Sequence, residues 1–234
     1  MSKVGRVLLL VVISMINIKA NAFWFDIPAV SETLSNHGHI EEIKRELDPE
    51  HIDVLVWNIY KGGLIGWNID LERYARDRDI VILQEGILNN SMRAEFDASR
   101  KLLYTFASSF VFKTSGHPTG VVTGATLPPS ETIFQRSKGR EIVGFTPKMV
   151  LLTKYPIRHT DKELLVINIH ALNTVSWKKV AAQILDALRV AREHEGPVIF
   201  AGDFNTWSEK KLAFMERSMA RAGFINVQFP NGEE

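Results

Sequence analysis

The 234-residue sequence has no cysteine, 28 Lys and Arg against 27 Asp and Glu, and a formal net charge of +1. These values exclude a disulfide-stapled scaffold, a thiolate zinc site and a surface that holds nucleic acid by bulk positive charge. The length suits one domain with a well-buried core.

Lys3 and Arg6 open the chain, Val7 to Ile16 is almost wholly apolar, and Ala20-Asn21-Ala22 supplies a small-x-small cleavage pattern. Counted to Ile18 the apolar run is 12 residues, short of the roughly 20 that a spanning helix needs. The expectation is a signal peptide over 1–22, an exported protein of the periplasm or extracellular space, and no stable membrane insertion once the signal is gone. Its removal takes Lys3, Arg6 and Lys19 and no acid, leaving 25 basic against 27 acidic side chains.

Residues 23–51 read as an N-terminal lead-in with a helical patch over 41–47, ended by Pro49. His37-x-His39 reads as exposed linker, because no third ligand lies near it in sequence. Residues 52–234 read as the domain proper, a monomer. Ile52 to Tyr60 is a strand by its Val, Ile and aromatic content, and it carries Asn58 near its end. A helix over 68–76 follows. Asp79 to Gly86 is a second apolar strand, ending at Glu85. Next come a helix over 89–103, a strand over 104–112, a loop containing His117, and a strand over 121–126.

The polar stretch from Pro128 to Arg140 reads as a surface loop or irregular hairpin. Met149 to Tyr155 and Leu164 to Asn168 are strands, the second running straight into His170-Ala171-Leu172-Asn173. Between Ser176 and Glu195, Val180, Ile184, Leu185, Leu188 and Ala191 fall on one helical face. Gly196-Pro197 stops that helix and opens the strand Val198 to Asp203, which delivers Asp203 and Asn205. A helix over 208–222 and a strand over 224–229 complete the order.

Asn58, Glu85, His170 and the Asp203/Asn205 pair are thus all delivered at strand ends. Each alone is an ordinary turn residue; together they can build one polar pocket at one edge of the sheets. A lone Glu with water and phosphate oxygens suits Mg²⁺, with Mn²⁺ as the alternative, because Mg²⁺ keeps several waters and takes one or two carboxylates.

Val56-Trp57-Asn58-Ile59, Leu83-Gln84-Glu85, Ile169-His170 and Gly202-Asp203-Phe204-Asn205, in that order, resemble the motifs of the endonuclease/exonuclease/phosphatase (DNase I-like) superfamily. The resemblance covers about Ile52 to Phe229 and implies a two-sheet α/β sandwich hydrolysing a phosphate ester, most plausibly a nuclease or other phosphodiesterase. By carry-over, Asn58 and Glu85 hold the metal, Asp203 aligns the attacking water, Asn205 contacts the phosphate, and His170 stabilises its charge. Lys61, His117 and Asn173 are looser candidates for substrate contact. Members also carry a terminal Ser-Asp-His segment, and beyond Asn205 this sequence has neither Asp nor His. That departure implies a sandwich missing its terminal strands, and it keeps two alternatives open: a lipid- or sugar-phosphate esterase, and a catalytically impaired member.

Overall fold

The computed structural model describes residues 24–42 and 44–227. The predicted leader over 1–22 lies outside them. Among the described residues no helix is long and apolar enough to cross a membrane.

One sheet runs in the order β1 (Phe25–Asp26), β5 (Leu103–Phe112), β6 (Pro118–Ala125), β4 (Ile80–Ile87), β3 (Val54–Asn58), with β2 (Leu34–His37) also paired to β5. The other runs β10 (Val198–Asp203), β9 (Glu163–His170), β8 (Met149–Pro156), β7 (Glu131–Arg136). The two sheets face each other, with helices outside. Helices α1 (Trp67–Ala75) and α2 (Asn90–Ala98) cover the first sheet, burying Leu71, Met92 and Phe96 against Val81, Leu83 and Phe106. Helices α3 (Trp177–Glu193) and α4 (Glu209–Arg221) cover the second, where Ile184 and Leu188 meet Leu165, Ile167 and Ile169. This is the expected two-sheet α/β sandwich.

Strand periodicity explains both cores. Along β4, Val81 and Leu83 face the helices while Ile80 and Ile82 face the second sheet; along β9, Leu165 and Ile167 face α3 while Leu164 and Val166 face the first sheet. Followed to their ends, the inward rows turn polar together: Asn58 on β3, Gln84 on β4, Asn168 and His170 on β9, Asp203 on β10. Parallel pairing of β3 with β4 and of β9 with β10 puts all these ends on one side of the molecule.

Several expectations are corrected. The 23–51 stretch is no separate lead-in, since β1 and β2 pair with β5 and Leu47 is buried in the inter-sheet core. Its 41–47 patch forms no helix among the described residues. His37 is buried, not exposed linker, and its Nδ1 lies 2.9 Å from Asp97 Oδ1. The stretch read as a loop over 128–140 contains β7, whose half-buried residues pair in register with β8. Leu185, placed on the apolar face of α3, is exposed. Residues 224–227 form no strand; 228–229 lie outside the described residues. Among the described residues nothing pairs with the outer edge of β3 or of β10.

Candidate active site

Glu85 does not end its strand as the sequence suggested. β4 continues to Ile87, and the register with β6 shifts between Leu83 and Gly86. Glu85 sits in that bulge at φ +56°, a left-handed conformation that costs a non-glycine residue about 1–3 kcal/mol. Strict alternation would send Glu85 toward the helices, opposite to Gln84. The bulge re-aims it instead, so that its Oε1 lies 3.9 Å from His170 Nε2 on the other sheet.

Asp203 reaches the same place from β10, with Oδ2 at 3.7 Å from His170 Nε2. Its two oxygens are held separately: Asn58 Nδ2 donates to Oδ2 at 2.9 Å, and the Asn205 main-chain N–H donates to Oδ1 at 3.0 Å. The first of these bonds joins β3 to β10 across the sandwich. Gly202 precedes Asp203 at φ +136°, and a Cβ there would lie 2.1 Å from the Ile169 carbonyl oxygen. Only glycine lets β10 lie this close to β9 at that point.

Asn205 takes a different part from the one the resemblance implies. It is buried at φ +49°, donates through Nδ2 to the Ala171 carbonyl at 2.9 Å and accepts from Trp207 Nε1 at 3.0 Å. Its amide shapes the turn after β10. The Asp203 and Asn205 side chains therefore share a tight turn and do not alternate along an extended strand.

Lys61 ion-pairs with Glu85, which draws one looser candidate into the cluster. The second cation there is Lys148, which sequence reasoning missed. Its Nζ lies 3.0 Å from His170 Nε2 and 4.0 Å from Glu141 Oε1. Burial lowers the pKa of this ammonium, Lys61 adds to that, and Glu141, Glu85 and Asp203 oppose it. His170 is pushed well below the ordinary histidine value by burial, then by Lys148 and Lys61. With an ammonium donating to Nε2, the imidazole is neutral and its proton sits on Nδ1. A lysine just before an apolar strand carries no sequence signal of its own; only the antiparallel pairing of β8 with β9 brings it to His170.

The remaining candidates lie around this cluster. His117 is in the turn before β6, at the Glu85 end of β4, since Ile87 pairs with Thr119. Asn173 is held through its main chain: its N–H donates to Glu141 Oε1 at 2.8 Å and its carbonyl accepts from Lys211. Its side chain makes no hydrogen bond among the described residues. His159 lies in the turn between β8 and β9, at the far end of β9 from His170.

Beneath the cluster lies a buried polar clip. Asn168 donates through Nδ2 to the Val122 and Leu83 carbonyls at 2.9 and 3.1 Å and accepts from Gln84 Nε2 at 2.9 Å. It binds the two sheets together next to Glu85 and His170.

The sequence profile of the Endonuclease/Exonuclease/phosphatase family matches residues 55–212, a span that contains every residue of this cluster. The chain belongs to this family. The family is one of endonucleases, exonucleases and phosphatases. It is 32% identical over 184 residues to a UPF0294 protein of Vibrio parahaemolyticus, covering 78% of this chain and 63% of that one. A UPF0294 protein of Yersinia pseudotuberculosis is 35% identical over 183 residues, 77% of this chain and 67% of its own. The chain thus spans about two thirds of the length of these relatives. Among solved structures, the human Nocturnin catalytic domain with bound sulfate superposes with a TM-score of 0.53 at 17% identity, covering 76% of this chain and 72% of that one. A conserved protein from Enterococcus faecalis V583 gives 0.54 at 13% identity, with 70% and 72% covered. At such identities the likeness is one of fold.

The donors at the site are hard ones, the carboxylates of Glu85 and Asp203 and the amide of Asn58, with no thiolate anywhere in the chain. Among the described residues no three His, Cys, Asp or Glu converge into an all-protein metal cage. Hard oxygen donors of this kind suit Mg²⁺, which takes one or two carboxylates and keeps water in its shell. Lys61 pairs with Glu85, so a divalent ion at this carboxylate would displace that ammonium.

Proposed function

We propose that the chain is an exported, divalent-metal-assisted phosphodiester hydrolase. The observation that carries this reading is the convergence of Glu85, Asp203, Lys61 and Lys148 around a neutral His170 at the common end of two sheets. Glu85, helped by the Asn58 amide, is the site for Mg²⁺ or Mn²⁺, which when bound supplies Lewis-acid polarisation of the phosphate. Asp203, fixed by Asn58 and by the Asn205 main chain, accepts a hydrogen bond from the attacking water and sets its line of approach. Lys61 and Lys148 offset the charge that develops on the phosphoryl oxygens, and the buried setting of Lys148 strengthens that effect. As the water oxygen bonds to phosphorus it passes a proton to Asp203, the ester P–O bond breaks, and the departing oxygen takes a proton from solvent. Export rests on the leader-like start of the sequence.

Hydrolysis of bis(p-nitrophenyl) phosphate tests the reading. Glu85→Gln and Asp203→Asn are each expected to lower the rate by about 10²–10³ without changing the circular dichroism spectrum. EDTA should abolish turnover and Mg²⁺ or Mn²⁺ restore it. A rate that survives chelation, or normal turnover by Glu85→Gln, overturns the proposal.

A further inference from the structure

Three loops rim the site, and each ends in apolar side chains that face solvent. The loop after β3 exposes Leu64 and Ile65, the latter at 105% of its reference area. The loop before β8 exposes Ile142, Val143 and Phe145, and the turn after β10 exposes Trp207. Hydrogen bonds and ion pairs anchor all three to the site. Lys61 pairs with Glu85, Trp207 Nε1 donates to Asn205, and the Glu141 carboxylate accepts from Asn173 and Thr174, just past His170.

The middle loop is built as a projecting tip. The Glu141 N–H donates to the Thr146 carbonyl at 2.9 Å, closing its base, and the Ile142 N–H donates to Thr174 Oγ1 at 3.2 Å. Gly144 and Phe145 both take left-handed φ, +78° and +54°. Four residues in a row, Ile142 to Phe145, are thereby displayed without a charge among them. The first loop is likewise uncharged from Gly62 to Ile69. Exposed apolar surface of this extent at a functional rim marks a docking surface.

Chemistry selects the occupant. With Tyr60, also exposed in the loop after β3, four of these seven exposed side chains are aliphatic, whereas a single-stranded nucleic acid calls for aromatic platforms. From Thr132 to Thr160 the only acid is Glu141, and its carboxylate is turned inward to Asn173 and Thr174. Lys138, exposed and 3.7 Å from Asp186 Oδ2, and the half-buried Arg140 lead into the tip, cationic side chains of the sign that anionic headgroups attract.

We infer that these loops seat the active site on an anionic lipid surface, so that its substrate is the phosphodiester of a membrane phospholipid. The inference rests on the hydrolase reading for its substrate, and on the apolar rim alone for its membrane. The tips bury their apolar ends among the acyl chains at the interface. The phosphodiesters of that surface then lie level with Glu85 and Asp203.

The test is co-sedimentation of the full chain with vesicles of phosphatidylcholine and phosphatidylglycerol, beside the triple variant Ile65→Ser/Val143→Ser/Phe145→Ser. Both proteins are also assayed on bis(p-nitrophenyl) phosphate and on the vesicle lipids, and their melting curves are compared. The wild type should sediment with the vesicles, and the variant should lose roughly tenfold or more of that partitioning. The variant's rate on the soluble diester should be unchanged while its rate on vesicle lipid falls in step with binding. Equal partitioning of the two proteins overturns the inference. So does an absence of vesicle binding while bis(p-nitrophenyl) phosphate is still hydrolysed, which leaves the hydrolase reading standing. Binding of a single-stranded oligonucleotide that the triple variant loses would assign the rim to nucleic acid instead. Rim-dependent vesicle binding with neither diester hydrolysed supports the docking and overturns the hydrolase reading.

Discussion

Asn168→Leu should destabilise the protein far beyond an average substitution, and the structure supplies the arithmetic. The side chain is fully buried and makes three close hydrogen bonds, to Val122, Leu83 and Gln84, at 2.9 to 3.1 Å, beside a longer one to Thr123 Oγ1 at 3.4 Å. Each such bond is worth about 0.5–1.5 kcal/mol net, and the stranded Gln84 amide adds about 1–3 kcal/mol of unsatisfied burial. Gln84 retains only a 3.4 Å contact to the Ile82 carbonyl. The expected loss is about 2.5–7.5 kcal/mol, a large part of the roughly 5–15 kcal/mol by which a domain of this kind is stable. Urea denaturation with an unchanged m-value is the assay. Adding Gln84→Leu removes the stranded group and should recover about 1–3 kcal/mol, a coupling typical of directly bonded residues. The repaired double variant should nevertheless hydrolyse phosphodiesters slowly, because Gln84 adjoins Glu85 and Asn168 lies two residues before His170. The reasoning is refuted if Asn168→Leu stays within about 0.5 kcal/mol of the wild type, or if the two substitutions add without coupling.

Lys148→Met should lower the phosphodiesterase rate by about 10²–10³ and also lower the melting temperature, since it leaves the Glu141, Glu85 and Asp203 carboxylates short of a nearby cation; a variant with normal turnover would take Lys148 out of the site. Burial pushes the Glu141 carboxyl up, but hydrogen bonds from Thr174 and the Asn173 main chain, with Lys148 beyond them, outweigh that and hold it below the ordinary value. A depressed pKa stabilises the fold at pH values above that of the unfolded chain. Glu141→Gln should therefore cost about 1–3 kcal/mol at pH 7, a gap that closes as pH falls below about 4; thermal melts over that range check it. Mass spectrometry of protein from the native host should find a mature N-terminus at Phe23, and intact chain from Met1 in the cytoplasmic fraction would contradict export.

The period-2 rows of β4, β9 and β10 were legible because buried strands in a two-sheet core read as short apolar runs with abrupt polar ends. Asn58, His170 and Asp203 could therefore be placed at strand ends before any fold was known, whereas Glu85 lies in a bulge short of the end of β4. Other features escaped because they are set by pairing between distant segments. β7 is polar in sequence, and only its register with β8 makes it a strand. The bulge at Glu85 leaves no local mark beyond Gly86. Lys148 and the Gln84 to Asn168 bond each join residues that lie far apart in sequence. The role of Asn205 was misjudged for the opposite reason: its motif is conspicuous in sequence, but the turn that it caps uses up its amide.

The charges in the pocket bear on which ester fits it. Glu85 and Asp203 are balanced by Lys61 and Lys148, and His170 is kept neutral by burial and by those two lysines. The pocket as built is therefore near zero net charge, and a divalent cation makes it +2. A phosphodiester brings one negative charge, and a proton passed from the attacking water to Asp203 moves charge within the site without changing the sum, which stays at +1. A phosphomonoester dianion brings the sum to zero. The count alone therefore does not decide between the two esters. What the two lysines do, one of them invisible to sequence reasoning, is keep the loaded site from going negative in a partly buried place where uncompensated charge is costly.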